Sequence, residues 1–236
     1  MRAFARWKAL RRPSLPGPKN RPALDAGCIP VMVDPQGVTI PRLRPEVVIE
    51  ATLAKRNVGV GITDAPLVIG VGPGFTVGEN VHCIVETNRG HNLGRVLYSG
   101  SAEPDTGIPG DIVGMTTERV LRAPQTGIFL SRHDIGDHVK AGDVVATVEA
   151  NGVSKEIRTV ISGVIRGLLR SGTPVTDRIK VGDVDPRDNT ACHHVSDKAF
   201  AIGGGILEAI LGRFNRPCYI RRGILHCPVD KNVPTA

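Results

Sequence analysis

The sequence predicts an α/β chain: a partial open sheet first, then a small all-β unit, then one helix near the carboxyl end. Three observations carry this. Short Val/Ile runs flanked by turns recur between residues 28 and 86, as in strands buried on both faces. Between 119 and 185, short strands separated by Gly-Asp turns recur at close spacing, which predicts a compact β unit. Ser196 then offers an N-cap before an apolar stripe reaching Leu211. The resulting division is a disordered or foreign basic arm at 1–22, an α/β ligand-binding region at 23–118, the β unit at 119–187, a helical segment at 188–212 and an irregular tail at 213–236.

Four strands are expected in the first region. Cys28–Val33 (CIPVMV) is closed by the turn Asp34-Pro35-Gln36-Gly37. Glu46–Leu53 (EVVIEATL) leads into Ala54-Lys55-Arg56-Asn57. Ala65–Val71 (APLVIGV) runs into Gly72-Pro73-Gly74, and Val81–Glu86 (VHCIVE) follows. Residues 95–119 read as loops and short strands. The last predicted helix, from about Asp197 to Leu211, is interrupted by Gly203-Gly204-Gly205. Each glycine costs roughly 1 kcal/mol of helix propensity, so either the helix breaks there or something packs against its backbone.

Composition narrows the function classes. The net charge of +7 is misleading, because residues 1–22 hold seven basic residues and no acid. Residues 23–212 carry 18 basic against 22 acidic residues, a net of −4. Aromatic residues are 3% of the chain. A nucleic-acid binder clusters positive charge on a folded face with stacking aromatics, so nucleic acid is set aside as a partner. No apolar run approaches the roughly 20 residues of a membrane span, and the basic start lacks the apolar stretch of a secretion signal. The five cysteines (28, 83, 192, 218, 227) form no CxxC pair, which predicts a reducing, cytoplasmic setting.

The stretch 70–98 is the best candidate for a site. Six of its 29 residues are glycine, and Glu86, Arg89, His91 and Arg95 lie among them. Glycine lets backbone approach a ligand closely. Arginine offers a fork of donors to carboxylate or phosphate, and histidine titrates near neutral pH. In the functional reading Asn88, Arg89, Gly90 and Arg95 hold an anion, while His91 and Glu86 form a catalytic acid–base pair. In the bland reading Glu86 and Arg89 are a loop ion pair and His91 caps a strand end. Gly72 and Gly74 could add backbone N–H donors, although the spacing matches neither a Walker loop nor GxGxxG. Lys55, Arg56 and Asn57, just past a strand, are further anion contacts or a solvated strand end. Cys192-His193-His194 invites a metal reading, but adjacent side chains rarely converge on one ion, so no metal site is predicted. Cys83 reads as core.

In the β unit, A-P-x-x-G-I-F and I-G-D-x-V-x-x-G-D are followed by V-I-S-G-V-I and S-G-T-P-V. This is similar to the biotinyl/lipoyl-type barrel-sandwich fold, in which a hairpin tip carries a modified lysine. Aligning Glu149-Ala150 and Ile157–Val164 with that pattern puts Gly152 at the lysine position, and Lys155 falls three residues late. A barrel-sandwich module with an ordinary Asn151-Gly152 turn is expected, without a swinging arm.

Longer blocks carry a wider resemblance. VVIEATLAKRN, GVGPGFTVGENVHCIVETNRGHNLGRVLYSGSAEPDTGIPG, ERVLRAPQTGIF, ISGVIRGLLRSG, KVGDVDPR and SDKAFAIGGGILEAIL resemble the YqeB-type family over roughly residues 24–212. The resemblance implies a Rossmann-like sheet and an accessory role in maturing selenium-dependent molybdenum hydroxylases. It also implies a molybdopterin-type cofactor as the ligand, and the hydroxylase or its cofactor-handling proteins as partners. Members of that family open with a GxGDLATG-type turn that is not found here, so a truncated or frame-shifted product is expected. The alternatives are a small-molecule enzyme using His91 and Glu86, or a non-catalytic scaffold module.

Overall fold

The computed structural model describes residues 7–9, 26–187, 192–215, 219–221 and 224–226. The readings of a foreign arm at 1–22 and an irregular tail at 213–236 therefore fall largely outside the described residues. The chain divides into two compact units, 1–105 with 197–236, and 106–196.

In the first unit β1 (Trp7–Ala9) pairs in parallel with β2 (Ile29–Val31). β2 is shorter than the predicted 28–33 strand and largely exposed. A single helical turn follows at Ile40–Leu43. The main sheet then forms in chain order from β3 (Val47–Glu50), β4 (Leu67–Val71), β5 (Cys83–Val85) and β6 (Val96–Leu97). β3, β4 and β5 run parallel, and β6 is antiparallel to β5.

All five residues of β4 are buried, which explains its unbroken apolar run. Leu67 and Ile69 pack with Cys83, Val85 and Val96 under Ala209 of the C-terminal helix, Asp197–Phe214. On the other face Val48, Val68 and Ile84 pack with Phe75, Val81 and Ala102. Loops supply that second layer. The fold is thus mostly β with one long C-terminal helix, and the alternating strand–helix pattern of a Rossmann-like sheet is not what the described residues form. The physical reason lies in the crossovers. Residues 51–66 and 72–82 are rich in Gly, Pro, Asn, Asp and Thr, which favour turns over helix.

The second unit is a pair of four-stranded antiparallel sheets. Its strands are β7 (Val120–Arg122), β8 (Gly127–Ser131), β9 (His138–Val139), β10 (Val144–Ala150), β11 (Val153–Arg158), β12 (Gly163–Leu168), β13 (Thr173–Val175) and β14 (Lys180–Asp185). One sheet has the order β11-β10-β8-β13 and the other β7-β14-β12-β9. Phe129, Val145, Val148, Ile165 and Val184 fill the core between them, all fully buried. Arg119 is almost buried, pairs with Asp183 at 3.1 Å and donates to the Gly110 carbonyl, fixing the entry to β7. Asn151 and Gly152 adopt φ of 49° and 77° in a two-residue turn between β10 and β11, the left-handed pair that an Asn-Gly hairpin selects. Back in the first unit, β15 (Tyr219–Arg221) and β16 (Ile224–His226) form a small hairpin.

The C-terminal helix runs through its three glycines unbroken. A Cβ on Gly205 would stand 2.1 Å from the Gly94 carbonyl oxygen, so Gly205 is where helix and loop backbones meet. A Cβ on Gly203 or Gly204 would meet nothing within 4 Å. Gly203→Ala and Gly204→Ala should therefore each raise stability by about 0.5–1 kcal/mol through helix propensity. Gly205→Ala should lower it by at least about 1 kcal/mol through overpacking. Thermal melts of the three variants check this, and equal effects would contradict the packing described.

Candidate functional site

The site gathers at the carboxyl ends of the parallel strands, where open α/β sheets place ligands. Four segments meet there: 51–57 after β3, 72–75 after β4, 86–95 after β5, and the first turn of the C-terminal helix.

Glu86 organises the 86–95 loop. Its backbone N–H donates to the Arg95 carbonyl at 3.0 Å, and its carbonyl accepts from Gly94 N–H at 2.9 Å. Its carboxylate is only 1% exposed. Oε1 accepts the N–H groups of Thr87 (2.6 Å) and Asn88 (2.7 Å), and Oε2 accepts the N–H of Glu103 (2.8 Å). Three backbone donors that the loop would otherwise bury unmet are satisfied by one side chain. The Glu103 carboxylate accepts from the Asn88 and Asn92 amides, which hold its carboxyl below the usual range.

The glycines let segments approach. Gly72, at φ 82°, is the place where a Cβ would stand 2.7 Å from the Thr87 hydroxyl, and its N–H donates to the Val85 carbonyl. Gly74, at φ 107°, lies against the backbone of Arg56, and a Cβ there would stand 2.6 Å from the Arg56 Cα. These positions hold loop against loop.

Lys55 sits at φ 63°, left-handed geometry that a non-glycine residue rarely adopts. It forms a 3.5 Å pair with Asp105. Arg89 reaches Asp197 in the first helical turn, with Nη1–Oδ2 at 2.8 Å. Lys198, the next residue, is half-buried in the same region. Burial, then the cations Lys55 and Arg89, hold its ammonium below the ordinary lysine range, against the opposing pull of Glu86 and Asp105.

The sequence-predicted residues therefore fall into two groups. Lys55, Arg56, Gly72, Gly74, Glu86, Asn88 and Arg89 are brought together by the contacts above. Gly90, His91 and Arg95 lie in the adjoining 90–95 turn, where the His91 and Arg95 side chains are exposed and make no hydrogen bond or ion pair among the described residues. Asn57 is engaged within its own loop, accepting from Gly59 and Val60 N–H and donating to the Val60 carbonyl. Lys198, Asp197, Asp105 and Glu103 were missed. The only signal for Lys198 was the SDKA block, and it stands more than 100 residues from the glycine-rich loop.

Among the described residues, the cysteines and histidines elsewhere do not assemble. Burial pushes the Cys83 thiol up to about 11, as for a core residue. Arg166 donates to the carbonyls of Cys192 and His194, tying that segment to β12 through its backbone. Among the described residues no group of three His, Cys, Asp or Glu is placed to hold a metal ion, and no helix is long and apolar enough to cross a membrane.

Glu86→Ala, leaving three backbone N–H groups unmet, should cost roughly 3–5 kcal/mol. Glu86→Gln should cost less but still lower the melting temperature, and faster amide exchange should be confined to about residues 87–103. A Glu86→Gln protein with unchanged melting and exchange would return Glu86 to the acid–base role.

Residues 119–184 match the biotin/lipoyl family model, described as biotin-requiring enzyme. Where that family carries its attachment lysine this chain has Gly152, and Lys155 is paired opposite Val148 within the β10–β11 ladder. The residues present do not fit a biotinyl or lipoyl arm. The chain is similar in part to an aspartoacylase family protein from Mesorhizobium loti, at 22% identity over 38% of this chain and 27% of that one, with a TM-score of 0.28. Urea carboxylase of Kluyveromyces lactis is similar at 25% identity over 37% of this chain and 8% of that one, also at 0.28. Overlaps this limited carry no argument about activity. The chain is 50% identical over 188 residues to Uncharacterized protein YqeB of Escherichia coli (strain K12), covering 79% of this chain and 34% of that protein. It thus spans about a third of the length of that relative and is similar to it across both compact units.

Proposed function

We propose that the carboxyl edge of the parallel strands binds a small anionic molecule. The observation that carries this is the convergence of Lys55, Arg89 and Lys198, from three separate segments, beside a loop braced by Glu86. Open sheets with parallel strands place their ligands at that same edge.

The identity of the ligand rests on the YqeB-type resemblance. It is a molybdopterin-type cofactor, or a nucleotide form of it, handled while a selenium-dependent molybdenum hydroxylase matures. The residues present fit the phosphate end of such a group. Lys55, Arg56, Arg89 and Arg95 supply cations, and the Asn88 amide is a neighbouring donor. When bound, the cofactor supplies the molybdenum and selenium chemistry. The chain's own residues bind and orient it, and His91, exposed in the adjoining turn, can hold or move a proton at the ligand. Glu86 is assigned to positioning, because both its oxygens already accept backbone N–H bonds. The barrel-sandwich unit, without an attachment lysine, serves to dock the hydroxylase or a cofactor-handling protein.

Hydroxylase purified from cells lacking this gene should retain molybdenum and lose selenium, as read by elemental analysis of the enzyme. Unchanged content of both elements would contradict the maturation role.

A further inference from the structure

We propose that Lys198 is the principal ligand contact of the carboxyl-edge site, and that the group it receives is a phosphate-type dianion. This deepens the anion-binding reading and rests on it.

The charges around the site are unevenly committed. Lys55 is paired with Asp105, and Arg89 with Asp197. The Glu86 carboxylate is occupied by the N–H groups of Thr87, Asn88 and Glu103. Arg56 and Arg95 have no ion pair among the described residues, but both are exposed, and Lys198 differs from them in burial. It is half-buried, two cations lie beside it, and no carboxylate stands within ion-pair distance of it among the described residues. A half-buried ammonium carries three donors, and desolvating it without a partner is unfavourable. The neighbours Lys55 and Arg89 add to that cost by repulsion. A dianion at this point reverses both terms, because it accepts hydrogen bonds from the ammonium and turns the adjacent cations into attractive partners. A monoanionic carboxylate meets the hydrogen-bonding need but leaves more of the repulsion standing. Helix and loop also reach this spot together, through the Arg89–Asp197 pair and the close contact of Gly94 with Ala201 and Gly205. The helical turn that carries Lys198 is thereby fixed against the loop.

The test uses the full chain and two probes. Pyridoxal phosphate carries an aldehyde and a phosphate, and borohydride reduction fixes it on whichever lysines it meets. Inorganic pyrophosphate serves as the competitor. Near pH 8, peptide mapping should find Lys198 labelled about tenfold more than the exposed Lys155, and pyrophosphate should protect Lys198 and Lys55 but not Lys155. Labelling spread evenly over exposed lysines overturns the proposal. Protection of Lys55 without Lys198 overturns it while leaving the anion site itself standing, and protection of neither removes both.

Two variants separate binding from folding. Lys198→Gln, with an unchanged thermal melt, should weaken pyrophosphate binding at least tenfold, and Lys198→Arg should restore it. Raising the pH from about 8 to about 10 should weaken binding to the wild type more than to Lys198→Arg. The reason is that Lys198 loses its proton below the usual lysine range while arginine keeps its own. The ligand's own titration is common to both proteins. Parallel pH profiles would contradict a direct contact.

Discussion

The buried carboxylate of Glu86 is the constraint on which the rest of the site depends. A loop leaving a fully buried strand must find acceptors for its first N–H groups, since an unmet donor costs as much as several good packing contacts recover. Glu86 meets two of them locally and a third from Glu103, 17 residues on. This single side chain sets the path of the 87–93 turn and brings the 102–105 segment alongside it. Asp105 then stands where Lys55 can reach it, and Arg89 stands where it can meet the helix. The glycines act with this brace. Gly74 and Gly94 let neighbouring segments close to backbone contact, and Gly72 admits the Thr87 side chain, so loops and helix share one small region.

Much of this was legible in the sequence. The Val/Ile runs marked β3, β4 and β5, and β4 and β5 are buried along their whole length, so no polar alternation disguises them. The Gly-Asp turn spacing gave the β unit, and the Asn151-Gly152 hairpin was readable because few residue pairs accept two consecutive left-handed conformations. The 70–98 stretch was marked as a site by its glycines and charges. Other features could not be read locally. The expected Rossmann-like sheet is not what the described residues form: its second face is covered by Phe75, Val81 and Ala102 from loops, and nothing in a strand's own sequence says what will cover it. The triple glycine left two readings open, a helix break or a close packing contact, and local sequence does not choose between them. Only the tertiary contact of Gly205 with Gly94 explains why a helix former is absent there, while Gly203 and Gly204 remain unexplained by any contact. Lys198 was hidden because its meaning comes from Lys55 and Arg89, which lie far away in sequence.

The two units divide the chemistry plainly. The β unit keeps a dense aliphatic core around Phe129 and the hairpin of a carrier module, but has glycine where a carrier needs lysine. In the parallel-sheet unit, Lys55 pairs with Asp105 and Arg89 with Asp197 across distant segments. A binding role there and a docking role in the β unit are consistent with one chain that presents a small molecule to a larger partner.

The most direct test of the central claim is a titration of the full chain with inorganic phosphate, followed by backbone amide chemical shifts. The shifted amides should cluster at residues 55–57, 72–74, 86–89, 103–105 and 197–198. Shifts confined to the basic residues of 1–22, or centred in the β unit around Arg132 and Arg170, would contradict it.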